Sequence, residues 1–433
     1  MLLNKEKITD CVSLSALQTD KFKSSVISFS ITLPMTKEHY AHNLLLSHLL
    51  RRGTKSYPST ALLNKKLDEL YGSYVEVKSH RIGENIALAL SAEILDNKYI
   101  HDGTDILGEI IKIASELILS PAFLQSDFNT SFFEQEKKLI CEAIDAEINN
   151  TRVYAAKRCA EIMQENAAIP SSKELKELIS TVSLDSLLKY HEYLINHAPI
   201  NVFYIGSQET SKVKDCLLSL LSAYPCQAPS DIILPRPLTR GDLLELSEQM
   251  PVSQGKLALG FSLGICADPN DDTYYSAIML NEVLGGSASS KLFLNVREKL
   301  SLCYYCSSSY SIYSGALLIS SGFEIKNYAI AKKAIFEQID DIKQGNISDA
   351  ELLAAKRTLS NACRQLYDNP FELQVFLGNR ALFGITDGVE AFISKFMSVT
   401  KEDIVAVAQN IKFEASYFIE GTSASESEEE QYE

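Results

Sequence analysis

Leu44-Leu45-Leu46-Ser47-His48 places one imidazole where a helix could present a full metal-binding set. Residues four apart on a helix point the same way. His at 44 and 48 with Glu at 47 would therefore hold zinc on two imidazoles and set a general base beside its bound water. Aliphatic Leu44 cannot ligate a metal, and the hydroxyl of Ser47 lacks a carboxylate's basicity. Only His48 has the required chemistry. Shifting the register by two, to start at His42, puts Leu45 in the Glu position and Leu46 in the second His position. His42 and His48 are six apart and lie on different helix faces. Neither register gives a site, and zinc with one protein ligand would not be held. The other spacing with chemistry of its own is Cys303-x-x-Cys306. Its Tyr and Ser neighbours read as a strand rather than a helix start, and no second pair completes a zinc site, so the sequence reading of this pair is structural.

The elements that must position these residues belong to a long chain. At 433 residues it exceeds what one hydrophobic core supports, so two or more domains are expected. Hydrophobic residues are 46% and charged ones 22%, ordinary globular usage that offers ample apolar surface for burial. A formal charge of -15, with no cluster of Lys and Arg, argues against a nucleic-acid partner. The start, Met1-Leu2-Leu3-Asn4-Lys5-Glu6-Lys7, lacks the parts of a signal peptide, and no apolar run of about 18 residues suggests a membrane span. A cytoplasmic protein is expected. Nine cysteines without a repeated spacing fit reduced thiols packed as small hydrophobes.

The pattern repeats itself. In the first half, β-rich residues 24–33 precede an apolar helix over 38–51, the pair Gly53-Thr54, and a second helix over 59–70. Strands over 74–79 and 85–92 follow, then long helical stretches over 105–119 and 128–166. From Lys256 the order returns: a strand at 257–263, a helix at 273–284, Gly285-Gly286, a helix at 289–300, and strands at 304–311 and 316–321. Aligning the glycine turns sets Leu63-Asn64 beside Leu294-Asn295 and Lys66 beside Arg297, an internal repeat of roughly 200 residues. The boundaries expected are an N-terminal domain at 1–224, a proline-bearing linker at 225–250, a C-terminal domain at 251–421 and an acidic disordered tail at 422–433.

His48-Leu49-Leu50-Arg51-Arg52-Gly53-Thr54 resembles the H-M-L-F-K-G-T that follows the zinc helix of the insulinase/pitrilysin metallopeptidases, whose inverted motif is H-x-x-E-H. The chain is most similar to the smaller, processing-peptidase-like branch, and the resemblance covers essentially all of it. In that family a third ligand, a Glu, ends the pattern E-R-x-V-I-x-E-E-I. Here Glu136-Lys137-Lys138-Leu139-Ile140-Cys141-Glu142-Ala143-Ile144 sets Ala143 at the metal position and Glu142 beside it. A Glu142 that slid inward would still bring at most one carboxylate to His48. Arg297-Glu298-Lys299-Leu300-Ser301-Leu302-Cys303-Tyr304 resembles the family's R-E-x-x-G-L-x-Y, with Ser301 in place of the usual Gly.

The resemblance implies an α+β fold of two homologous domains, each a mostly antiparallel sheet packed with helices, facing each other across a chamber. It implies that Arg297 and Tyr304 hold substrate at the scissile bond, since a guanidinium and a phenol can both donate to an oxygen gaining negative charge. Leu44, Ser47, His48 and Ala143 then mark a degenerate zinc site with no metal in this chain. The function implied is a catalytically inactive, peptide-binding subunit of a heterodimeric zinc peptidase. Its partner would be a catalytic paralogue with intact H-x-x-E-H, which supplies the zinc, and its substrate an extended peptide held along a sheet edge. The alternative is a non-proteolytic scaffold built on the peptidase fold, a reading to which inactive bacterial relatives add a tie to translation-factor modification.

Overall fold

The computed structural model describes residues 4–126, 128–164, 168–227 and 229–421; the expected acidic tail at 422–433 lies outside them. In chain order the first repeat holds β1 (Asn4–Lys7), β2 (Val12–Gln18), β3 (Ser24–Pro34), α1 (Lys37–Leu50), α2 (Thr60–Glu69), β4 (Tyr74–Ile82) and β5 (Asn85–Leu95). It continues with α3 (Ile106–Leu119), α4 (Ser131–Asp145), α5 (Thr151–Met163), α6 (Ser172–Thr181), α7 (Leu184–His197), β6 (Ile200–Gly206) and α8 (Thr210–Leu221). The second repeat holds β7 (Leu244–Met250), β8 (Gly255–Ser262), α9 (Thr273–Asn281), β9 (Cys303–Tyr310), β10 (Ala316–Phe323), α10 (Tyr328–Lys343), α11 (Asp349–Gln365), α12 (Pro370–Leu382), α13 (Val389–Ser398), α14 (Lys401–Ala408) and β11 (Lys412–Gly421). Two wide-turn π-helical segments, Glu282–Gly286 and Leu292–Lys299, stand between α9 and β9.

The duplicated plan is visible in strand order. One sheet runs β1-β2-β6-β3-β5-β4 and the other β7-β11-β8-β10-β9, so the second reproduces the first from β2 onward. Parallel pairing occurs at the same place in each, β2 with β6 and β7 with β11, and the other pairs are antiparallel. The α+β architecture read from the sequence is borne out. Local signals start the helices: Thr36, Ser59 and Asp105 each accept a backbone N–H at the N-terminus of α1, α2 and α3. Asn369 does the same for α12, with Pro370 in its first turn.

Three boundaries differ from those expected. The chain divides into two compact units of interleaved segments: Met1–Ile144, Ala168–Leu234 and Arg364–Gly388 form one, and Asp145–Ala167, Pro235–Cys363 and Val389–Glu433 the other. The contiguous stretches 1–224 and 251–421 are therefore not the packing units. The helix expected over 128–166 is broken after α4 by a 3-10 turn, Ala146–Asn149, and restarted by Asn150, whose side chain caps α5. Its second part, α5, packs on β8, β11 and β10. In the matching place of the second repeat, α12 follows α11 and packs on β6 and β3. The linker expected over 225–250 also ends early, because Leu244–Met250 pairs with β11 as β7.

In the first unit Ile27, Phe29, Ile31 and Leu33 of β3 join α1 in the main core, while Ser28 and Ser30 point to the other face under α12. There a cavity of about 230 Å³ lies between α12 and residues such as Ser91 and His80. In the second unit Ala155, Cys159, Ile162 and Met163 of α5 close over Ala258, Ala415, Tyr417 and Ile419. A Cβ added at Gly260 would overlap the sulfur of Met163 and crowd Cys159. Gly260→Val is expected to lower stability by about 1–3 kcal/mol through overpacking against α5, measured by urea unfolding. Adding Met163→Ala should restore part of that loss if the contact is the cause.

Candidate functional site

Helix α1 is held by Ala41, Leu45, Leu46, Leu49 and Leu50, all buried in the core of the first unit. That burial fixes where the degenerate zinc positions point. Leu44 is half-buried and packs against the same core. The buried hydroxyl of Ser47 donates to the Leu44 carbonyl at 2.7 Å, so it closes on its own helix. His48 is a turn before Arg52, and both reach one acceptor on α4: Glu136.

Glu136 is only 6% exposed. His48 Nδ1 donates to its Oε2 at 3.0 Å, and Arg52 Nε donates to Oε1 at 2.7 Å, with a second guanidinium nitrogen on the same oxygen. Arg52 also reaches Gln135 Oε1 at 3.2 Å and lies over the Phe132 ring at 4.8 Å. A cation and an imidazole thus surround the one carboxylate near His48. Glu142 does not slide inward: it is exposed and pairs with Lys138 at 3.6 Å, while Ala143 faces solvent. The residues present do not fit zinc, since a single imidazole nitrogen remains and the nearby carboxylate is already bound to Arg52. Among the described residues no group of three His, Cys, Asp or Glu side chains is arranged to hold a metal.

Sequence reasoning used Glu136 only to set the register and missed this role. The signal was there in His48 and Arg52, four apart and facing the same way. The cavity under α12 lies across the sheet from α1 and is separate from this cluster: Asn43 of α1 donates to Ser79, whereas His80 lines the cavity. Burial holds the His80 imidazole below its ordinary value, with Lys78 adding to the effect.

The Arg/Tyr positions lie together in the second unit. Leu292 and Val296 bury one side of the π-helical segment, and Arg297 comes at its last turn. Its guanidinium sits over the Phe293 ring at 4.5 Å and 3.5 Å from its neighbour Glu298, with 39% of the side chain exposed. The segment closes through Leu300 N–H to Asn295 O at 3.1 Å and Leu302 N–H to Val296 O at 3.3 Å. Between them Ser301 has φ of +50°, a left-handed conformation that favours glycine. Tyr304 follows on β9, the edge strand of its sheet, with 53% of its surface exposed. Both donors therefore face solvent on either side of a three-residue turn.

Comparison with known proteins agrees with these features. Residues 181–359 match the family model described as Peptidase M16 inactive domain. The chain is 29% identical over 415 residues to the "Probable inactive metalloprotease YmfF" of Bacillus subtilis (strain 168), covering 94% of this chain and 95% of that one. It is 28% identical over 170 residues, 39% of this chain and 41% of the relative, to the "Uncharacterized zinc protease YmxG" of the same organism. A conserved protein from Enterococcus faecalis V583 has the same fold, with a TM-score of 0.87 at 23% identity over 98% of this chain and all of that one. The resemblance drawn from the residue motifs is borne out.

Two outcomes follow from the geometry. Glu136→Ala should cost about 1–3 kcal/mol of stability in urea unfolding, because Arg52 and His48 lose a buried acceptor; Glu142→Ala, at an exposed pair, should stay within about 0.5 kcal/mol. Ser301→Gly should raise stability by about 0.5–1 kcal/mol by relieving the left-handed position, and its thermal midpoint should rise accordingly.

Proposed function

We propose that this chain, an inactive homologue of the insulinase/pitrilysin (M16) metallopeptidases, serves as the peptide-binding subunit of a two-chain zinc peptidase. The observation that carries the reading is a contrast within one molecule. At the positions of the family's zinc site stand an aliphatic side chain, a helix-bonded hydroxyl and an exposed alanine, and the remaining carboxylate is neutralised by Arg52. At the positions of the family's Arg/Tyr motif, a guanidinium and a phenol both face solvent.

In this reading the partner chain carries H-x-x-E-H, zinc and general base. This subunit forms part of the chamber wall and brings Arg297 and Tyr304 to the substrate. Arg297, already placed over Phe293, would donate to a backbone carbonyl of an extended peptide; Tyr304 would donate to the oxygen on which charge grows as the bond breaks. β4 and β9 are each an edge strand of their sheet, to which an extended strand could add. Relatives named as inactive and as zinc protease both occur in one organism, Bacillus subtilis, as a paired arrangement requires. The scaffold reading draws on a different fact, the near full-length similarity to a protein named as inactive.

The purified chain should neither retain zinc nor cleave peptides, by metal analysis and a fluorogenic peptide assay. Mixed with a co-purifying chain that carries H-x-x-E-H, it should support hydrolysis, and Arg297→Ala or Tyr304→Phe should lower kcat of the mixture by about 100-fold without dissociating it. Full turnover with both residues replaced removes their assigned role. A stable native complex without any H-x-x-E-H chain selects the scaffold instead.

A further inference from the structure

The pair Cys303 and Cys306 takes no part in the function above, and its placement is unusual. In a regular strand, residues three apart point to opposite faces. At the start of β9 the register shifts: Cys303 lies opposite Phe323, Tyr305 opposite Gly322 and Cys306 opposite Ser321, which leaves Tyr304 as the extra residue of a bulge. Phe323 and Ser321 are two apart on β10, so the bulge turns both cysteines to the same face. Both are buried, at 8% and 4% exposure. Ser321 Oγ lies within hydrogen-bond reach of Cys303 Sγ and of the Tyr305 carbonyl, each at 3.1 Å.

We propose that Cys303 and Cys306 are a reversible dithiol–disulfide pair, closed by exchange with a low-molecular-weight disulfide such as oxidised glutathione, and that closure resets the bulge that carries Tyr304. The Cys303 thiolate attacks one sulfur of the glutathione disulfide, that S–S bond breaks, and one glutathione leaves as thiolate and takes up a proton. Cys306 then gives its proton to solvent and attacks the Cys303 sulfur, expelling the second glutathione. Two protein thiols are oxidised and one disulfide is reduced to two thiols. The two cysteines divide these roles. The neighbouring Cys306 thiol draws the Cys303 thiol below its ordinary value, whereas Cys303 and burial push Cys306 well up.

Distance makes such a bond possible but not relaxed. Partners two apart on β10 set the cysteine Cα atoms about 6.6 Å apart at about 3.3 Å per residue. That is near the upper end of the roughly 4.4–6.8 Å that disulfides span. Closure must draw the bulge inward, and a disulfide formed under such tension is readily reduced. Among the described residues β9 is an edge strand whose ladder partner is β10, so local opening gives the oxidant access. Any effect on substrate through Tyr304 rests on the function proposed above; the bond itself does not.

The test uses the full chain, equilibrated in glutathione buffers from reducing to oxidising, alkylated and digested with trypsin. Cleavage after Lys299 and Lys326 releases residues 300–326, which contain Cys303 and Cys306 and no other cysteine. This peptide should pass from the doubly alkylated form to one lacking two hydrogens, and dithiothreitol should reverse the change. Cys306→Ser should trap one glutathione on Cys303. Hydrogen exchange of the same segment should differ between the two forms of the intact chain. A peptide that stays doubly alkylated, or takes up glutathione without an internal link, overturns the pair. A disulfide that forms with unchanged exchange overturns the resetting of the bulge. Neither readout needs a partner chain or a peptide substrate, so a failed peptidase assay leaves both intact.

Discussion

The fold rests on the reciprocal placement of two helices. A mixed sheet with one apolar face can bury that face under its own repeat's helices, but its other face also needs cover where it carries Val26, Ala258 or Ala415. Here the cover comes from the opposite repeat: α5 leaves the first repeat to lie on β8 and β11, and α12 leaves the second to lie on β6 and β3. Neither compact unit is complete without the helix that the other repeat supplies. Small residues make the close approach possible, with Gly260 beneath Met163 and Cys159 as the clearest case.

A second constraint anchors the returning chain. Glu414 of β11 is fully buried and is satisfied by Ser262 Oγ at 2.8 Å, the Arg240 N–H at 2.7 Å and the Thr239 hydroxyl. A carboxylate so deep costs several kcal/mol unless it is bonded on all sides. Its donors come from β8 and from the proline-bearing segment that leads into β7. That segment reads as a linker in sequence. In the folded chain its Thr239 hydroxyl and Arg240 N–H hold β11, which lies between β7 and β8, and the strand β7 that follows completes the parallel pair.

Much of this was legible in the sequence, and the exceptions share one cause. Alternation in Ile86, Leu88 and Leu90, the glycine turns and the return of the same order after Lys256 reported local periodicity, and local periodicity is what sets strand and helix type. The strand orders, which match from β2 onward, agree with it. Which sheet a helix lands on is not a local property. The apolar stripe of α5 looks the same whether it packs on its own sheet or the other, so the boundaries at 224 and 251 were drawn where proline interrupts the pattern rather than where contacts divide. The π-helical turns were read as ordinary helix for a related reason: one extra residue per turn hardly disturbs the pattern of Leu292 and Val296. At the site, the side chains at 44, 47 and 143 could be judged by type alone. The partner of His48 could not, because it depends on α4 crossing near α1.

That partner changes what the degenerate site means physically. A site that had merely lost ligands would leave Glu136 as a buried negative charge without compensation, a state that costs several kcal/mol. In this chain Arg52 supplies a permanent positive charge to the carboxylate, tethered one turn from His48 and stacked on Phe132. Any zinc ion entering would have to displace a guanidinium that is always protonated and costs little entropy to keep in place. It would then find one imidazole and one carboxylate, short of the three protein ligands that hold a catalytic metal. The positive charge opposite Glu136 is already part of the polypeptide, supplied by Arg52 just past the end of α1. In the first unit the buried carboxylate of Glu136 is thus held by an ion pair with Arg52 and a hydrogen bond from His48, so α1 and α4 are joined through charge that the polypeptide itself supplies.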